Sequence, residues 1–233
     1  AFSHTQPDRT PCDYVATPEI QRAVARHFGV EGEEAARERL GADIQYVNPP
    51  YVGPPLARFD DGSEVNIWGI RKRPMPNEYG DYAEPVGLPY GAWTTVEQAE
   101  AFPWPSPDWY DYSVIAGQVG GLERFPVRGG GSEPFLTYKQ LRGDEQAFVD
   151  LVENPEVAHY ILSKLFDLAL ENTRRIYEAI PGRVMITYVA EDMGGQEDLM
   201  ISPAQIREFL LPGMRRMIDL AHGAGAYVFH HND

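Results

Sequence analysis

The chain has 233 residues, 43% of them hydrophobic, and carries 20 basic against 35 acidic side chains for a formal charge of -15. That length supports one good hydrophobic core or two small ones, and so acidic a surface repels a phosphate backbone, which argues against nucleic acid as a partner. The single cysteine, Cys12, excludes an internal disulfide framework and an all-cysteine metal site and fits a reducing compartment. No apolar run reaches the roughly 18 residues of a membrane span, and the opening AFSHTQPDRT has no signal-peptide core, so the expectation is a cytoplasmic enzyme or binding domain.

In chain order, Cys12 after Pro11 reads as a small buried hydrophobe on a short N-terminal strand. Thr17-Pro18-Glu19 opens a helix toward His27. Glycine (22) and proline (20) make up almost a fifth of the chain and crowd into residues 48–107, where NPPYVGPP, KRPMPNEYG, EPVGLPYG and FPWPSPDW forbid long regular elements. The aromatic side chains there, Tyr79, Tyr82, Tyr90, Trp93, Phe102, Trp104, Trp109 and Tyr110, need something to bury against, so the region reads as ordered loops and short strands. SEVNIWGI is expected as one strand entered from the turn Asp61-Gly62, the basic run Arg71-Lys72-Arg73 as a solvated loop, and Thr94 with Glu97 as the cap of a short helix.

The second half is more regular. Asn154 is expected to cap a helix with Pro155 at its first position, and Val157, Ile161, Leu165, Leu168, Asn172, Ile176 and Ala179 form one stripe stopped by Pro181-Gly182. Ser202, Pro203 and Gln205 form a capping box that opens a helix over Pro203–Ala221. The segments FPVRGGG, RVMITYVA and GAYVFHH are strand-length. Strand Val184–Ala190, helix Pro203–Ala221 and strand Ala226–His231 make the β-α-β pattern of a parallel sheet.

Polar groups and glycines gather after each strand: Gly129-Gly130-Gly131, then Glu191-Asp192, then His230-His231-Asn232-Asp233. In parallel α/β folds the site lies at the carboxyl ends of the strands. Glu191 and Asp192 are candidate acid/base groups, with the capping of the Met193-Gly194-Gly195 loop as the competing role. His231 and Asp233 share a face of an extended segment, as metal ligands or as an acid/base pair. The glycine run lacks the spacing of a dinucleotide or phosphate loop, so it either admits a ligand close to the backbone or makes a tight turn. Gln196 and His230 are further candidates for holding substrate. His4, His27, His159 and His222 read as structural or exposed.

These stretches resemble a known family. HTQPDRTPCDY, TTVEQAEAFPWPSPDWYDY, LRGDEQAFVDLVENPEVAHYI and YVAEDMGGQEDLMISPAQIREFLLPGMRRMIDLAHGAGAYVFHHND are similar to the uroporphyrinogen decarboxylase superfamily across the whole chain. The resemblance implies a TIM (β/α)₈ barrel acting as monomer or homodimer, here a single domain over residues 1–233 that lacks the last third of the barrel. It implies either a methyltransferase or O-demethylase that moves a methyl group between a small methoxy or methylthio substrate and a corrinoid (cobalamin) carried by a partner protein, or a uroporphyrinogen decarboxylase of porphyrin biosynthesis, or a non-catalytic tetrapyrrole-binding relative. PCDYVATPEIQRAV lacks the arginine pair with which the decarboxylases hold their substrate, which favours the methyltransferase branch. That branch binds zinc through a His-x-Cys; here His231 matches the histidine and Asp233 stands in place of the cysteine. Glu191, Asp192 and His231 are then the expected catalytic residues, Gly129, Gly130, Gly131, Gln196 and His230 the substrate-binding ones, and His231 with Asp233 the zinc ligands.

Overall fold

A computed structural model describes every residue except Ser3, Tyr79 and Asp233, and the backbone alone of Asn77, Gly80 and Asp81. The elements run α1 (Pro18–Phe28), α2 (Glu33–Leu40), β1 (Gln45–Val47), β2 (Glu64–Val65), β3 (Arg71–Asn77), β4 (Gly80–Pro85), α3 (Val96–Glu100), α4 (Ile115–Gln118), β5 (Val127–Ser132), α5 (Pro134–Arg142), α6 (Asp144–Glu153), α7 (Pro155–Ala179), β6 (Val184–Ala190), α8 (Pro203–Gln205), α9 (Leu211–Gly223) and β7 (Tyr227–His231). They form an α/β fold. A four-stranded sheet in the order β1-β5-β6-β7 is parallel throughout, and a separate antiparallel sheet in the order β2-β3-β4 projects from the proline-rich region. Among the described residues the parallel sheet is open and no closed eight-stranded barrel forms.

Parallel neighbours need crossovers, and the sequence supplies them as helices that bury one face of the sheet. Val157, Ile161, Leu165 and Ile176 of α7 are buried, as the stripe predicts, and Val47, Val127 and Val184 meet Ile176 in one core cluster. A larger cluster joins Phe135, Tyr138, Leu162, Phe166, Val189, Leu210 and Met217. The α9 backbone comes close enough to α7 that a Cβ on Gly213 would sit 2.3 Å from the Phe166 ring. Ser202 and Gln205 form the expected capping box. The helix it opens runs through a π-helical stretch, Ile206–Leu210, into α9. Among the described residues no helix is long and apolar enough to cross a membrane.

Local chemistry departs from expectation in several places. Asn154 does not cap α7; its side-chain amide donates to Asp150 instead, at 3.0 Å. The capping box of α3 lies one residue later than Thr94–Glu97. Thr95 accepts from the Gln98 N–H, and the Gln98 carbonyl accepts from Thr95. SEVNIWGI is not one strand, because Asn66 turns the chain back by accepting from the N–H groups of Trp68 and Ile70. Arg71-Lys72-Arg73 lies on β3 rather than in a loop, with Arg71 paired to Asp61 at 3.0 Å. Cys12 is exposed and on no strand, its backbone N–H bound to the Asp43 carboxylate.

The proline-rich region is ordered against the helices. Tyr90, Trp93, Phe102 and Trp104 form a run of ring contacts that ends on Tyr160 of α7. Beneath it Arg142 is fully buried. It pairs with Asp150 at 2.6 Å and donates to the backbone carbonyls of Tyr90 and Trp93.

Candidate functional site

The parallel register brings three strand ends together: Ser132 lies against Val189 and Ala190 against His231. The Glu191 N–H donates to the His231 carbonyl at 3.1 Å and extends the ladder one residue beyond β6. Strand alternation turns Glu191 toward the helix-packed side that Val189 also faces. There its carboxyl is fully buried. Oε2 accepts from the Phe135 N–H at 2.8 Å, in the first turn of α5, and Oε1 has no hydrogen-bond partner among the described residues. Loss of solvent pushes this carboxyl up from 4.5 to about 8. The Phe135 N–H opposes the shift, the charges of Glu133 and Asp192 add to it, and Lys139 counters them. Glu191 therefore holds a proton at neutral pH.

Asp192 turns the other way. Its Oδ1 lies 3.4 Å from His231 Nε2, at ion-pair distance, and both side chains are partly exposed (27% and 39%). The buried acid and the half-exposed carboxylate–imidazole pair thus sit side by side at the ends of β6 and β7. Met193 N–H donates to the Asn232 side chain at 3.2 Å, which ties the following loop to the end of β7. His230 Nδ1 lies 2.7 Å from the Val189 carbonyl. A carbonyl can only accept, so Nδ1 carries the proton and Nε2 is the acceptor nitrogen of an exposed ring. Gln196 is exposed at the tip of the loop that Gly194 and Leu199 close by a single bridge. Asp233 lies outside the described residues.

The three glycines lie within β5 rather than after it, at a register shift between Arg128 and Gly131. Their first role is packing. A Cβ on Gly129 would meet Val47 at 2.7 Å, and one on Gly130, at φ +69°, would meet Thr173 at 2.6 Å. Gly131, at φ +145°, donates its N–H to Thr173 Oγ1. They also floor a cleft of about 410 Å³ at the ends of β1 and β5, walled by Tyr46, Asn48, Arg128, Asn172 and Tyr188. Sequence reasoning did not single out Arg128, Tyr46 or Tyr188, nor buried Ser132, whose Oγ also lacks a hydrogen-bond partner among the described residues. The helices α5 and α6 were missed with them; Pro134 at a first helical position and Gly143 between the two were the available signals.

Among the described residues no group of three or more His, Cys, Asp or Glu side chains converges to hold a metal ion. His231 and Asp192 supply one nitrogen and one oxygen donor, and the other expected ligand, Asp233, lies outside the described residues.

No family model matches the chain, and no curated protein matches it. Among solved structures, a methyltransferase from Methanosarcina mazei is distantly similar in fold, with a TM-score of 0.48 at 16% identity. The match covers 86% of this chain and 54% of that one, so the chain spans about half the length of that enzyme.

Proposed function

We propose that the chain is the catalytic part of a uroporphyrinogen decarboxylase superfamily enzyme, with its open sheet part of a (β/α)₈ barrel, that removes a methyl group from a small methoxy or methylthio substrate. The observation that carries this reading is the protonated, buried Glu191 behind the Asp192–His231 pair. Demethylation leaves an oxygen or sulfur anion that must be protonated, and the pair, with an uncharged acid behind it, can deliver that proton. The carbon–heteroatom bond breaks with its electron pair moving to oxygen or sulfur. That atom takes a proton delivered through the half-exposed His231 and Asp192, and the methyl group passes to a nucleophilic acceptor. The resemblance in sequence names the acceptor as a corrinoid on a partner protein, which supplies an electron pair when bound. Glu191 reaches neither solvent nor, by a hydrogen bond among the described residues, the pair, so its part is to stay uncharged beside Asp192 and keep that strand end at one negative charge while the pair delivers the proton.

The test is to incubate the protein with a methoxy-aromatic or a methylthiol plus a methyl-accepting corrinoid protein, and separately with uroporphyrinogen. Demethylated product that requires Asp192 and His231 supports the proposal. Decarboxylation of uroporphyrinogen without methyl transfer overturns it.

A further inference from the structure

The face of the sheet turned away from the helices carries a second feature that the proton chemistry does not use. Register places Tyr46, Arg128, Ile186 and Tyr227 in one row across all four strands, followed by Tyr188 and Phe229 in the next. The neighbours that alternate with them, Val47, Val127 and Val189 among them, are buried in the helix cores. The Arg128 guanidinium lies over the Tyr188 ring at 4.2 Å and the Tyr46 ring at 5.0 Å, and Nη1 donates to the Tyr46 hydroxyl at 3.1 Å.

Among the described residues no carboxylate neutralises it. Arg37, Arg71, Arg142, Arg174 and Arg175 are each buried or half-buried, and each holds a carboxylate. Arg183 donates to a backbone carbonyl. Arg128 is half-buried too, yet among the described residues it has no carboxylate within ion-pair distance, in a chain with 35 acidic side chains. The carboxylate that comes nearest through its contacts, Asp13, is committed to Arg37 and to the Tyr46 hydroxyl. A guanidinium held between two rings is preorganised: its orientation is fixed, and its remaining N–H groups form a planar fork that matches a carboxylate.

Arg128 also lines a pocket of about 350 Å³ together with Asp13, whose carboxylate is held by Arg37 and the Tyr46 hydroxyl; the other walls, Phe2, Pro11, Ile186, Tyr227 and Phe229 among them, are largely apolar. Phe2 stacks on Tyr227 at 4.8 Å and Phe229 on Tyr188 at 5.9 Å, so the walls are flat ring faces. We infer that this pocket binds a small flat carboxylic acid, with its carboxylate on Arg128 and its apolar body against the Ile186, Tyr227 and Phe229 face. An unpaired cation beside apolar walls selects such a ligand over inorganic phosphate, which has no apolar body to bury. The pocket also stands close to the proton site: the Tyr188 centroid is 4.2 Å from the guanidinium and 6.1 Å from the His231 ring, which puts the two within about 10 Å of each other. One small molecule anchored at Arg128 thus reaches toward His231.

The probe is benzoate, with neutral benzamide and inorganic phosphate as comparisons, followed by calorimetry on the unmodified chain without turnover. Benzoate binds saturably, benzamide about tenfold or more weaker, and phosphate does not displace benzoate. Arg128→Gln weakens benzoate about tenfold or more and leaves benzamide unchanged, while Arg128→Lys is intermediate because it keeps the charge and loses the fork. If Arg128→Gln does not fold, Phe229→Ala serves instead: that ring is 53% exposed, and its loss weakens benzoate and benzamide alike. Equal affinity for benzoate and benzamide, undiminished benzoate binding in Arg128→Gln, displacement by phosphate, or no saturable binding overturns the inference. Binding is read without methyl transfer, so failure of this site leaves the Glu191 chemistry standing, and absence of turnover leaves this site standing.

Discussion

Replacing Glu191 with glutamine should change how stability depends on pH, and the structure gives the size and sign. In the unfolded chain this carboxyl titrates at its ordinary value of 4.5; in the fold, burial holds it at about 8. Below pH 4.5 both states are protonated and the site costs nothing. Above it the unfolded chain releases the proton while the fold retains it, so stability falls by about 1.4 kcal/mol per pH unit. The loss reaches about 3 kcal/mol at pH 7 and levels off at about 5 kcal/mol once the folded carboxyl ionises near pH 8. Glutamine keeps an oxygen for the Phe135 N–H and cannot ionise, so the variant lacks this slope. Urea unfolding followed by tryptophan fluorescence at pH 5, 6, 7, 8 and 9 measures the difference. The variant gains on the wild type steadily from pH 5 to 8 and then holds its lead. Parallel profiles across that range would refute the burial argument.

Three further outcomes follow from the geometry. Gly130→Ala forces a side chain into φ +69° and against Thr173, and should cost about 1–3 kcal/mol in denaturant unfolding; an unchanged midpoint would show that β5 relaxes freely. Arg142→Met leaves Asp150 charged in the core, held by Tyr138, Gln146 and Asn154, and should cost about 3–5 kcal/mol. The double variant Arg142→Met/Asp150→Leu should recover part of that loss, and a cost equal to the sum of the two single changes would contradict the pairing. His231→Ala or Asp192→Ala should lower turnover about 10²–10⁴-fold while leaving the unfolding midpoint close to wild type; a fall in stability to match would make the pair structural.

The parts of the fold that could be read from the sequence are those fixed by local chemistry. The α7 stripe, the Ser202–Gln205 box and strand Val184–Ala190 are found where periodicity and capping place them. Misreadings fall where two local options compete: Thr95 and Thr94 can both cap, and Asn154 gave its side chain to Asp150 because a buried carboxylate needs a donor more than a helix N–H needs an acceptor. Glu191, Asp192 and His231 are legible as a group, since parallel strands align their carboxyl ends. The difference between a buried acid and a half-exposed pair was not, because it depends on which face of the sheet α5 covers. Arg128 was invisible for a similar reason. Its interest lies in lacking a partner, and only the register shows which rings surround it and which carboxylates are already taken.

The account rests most directly on the proton at Glu191. Its side-chain carboxyl can be followed by carbon-13 NMR in glutamate-labelled protein, with the signal assigned by its disappearance in Glu191→Gln. The structure predicts that this one glutamate titrates near pH 8. A midpoint near 4.5 would mean the carboxyl is ionised at neutral pH and would put a second negative charge beside Asp192, which the proposed chemistry does not accommodate.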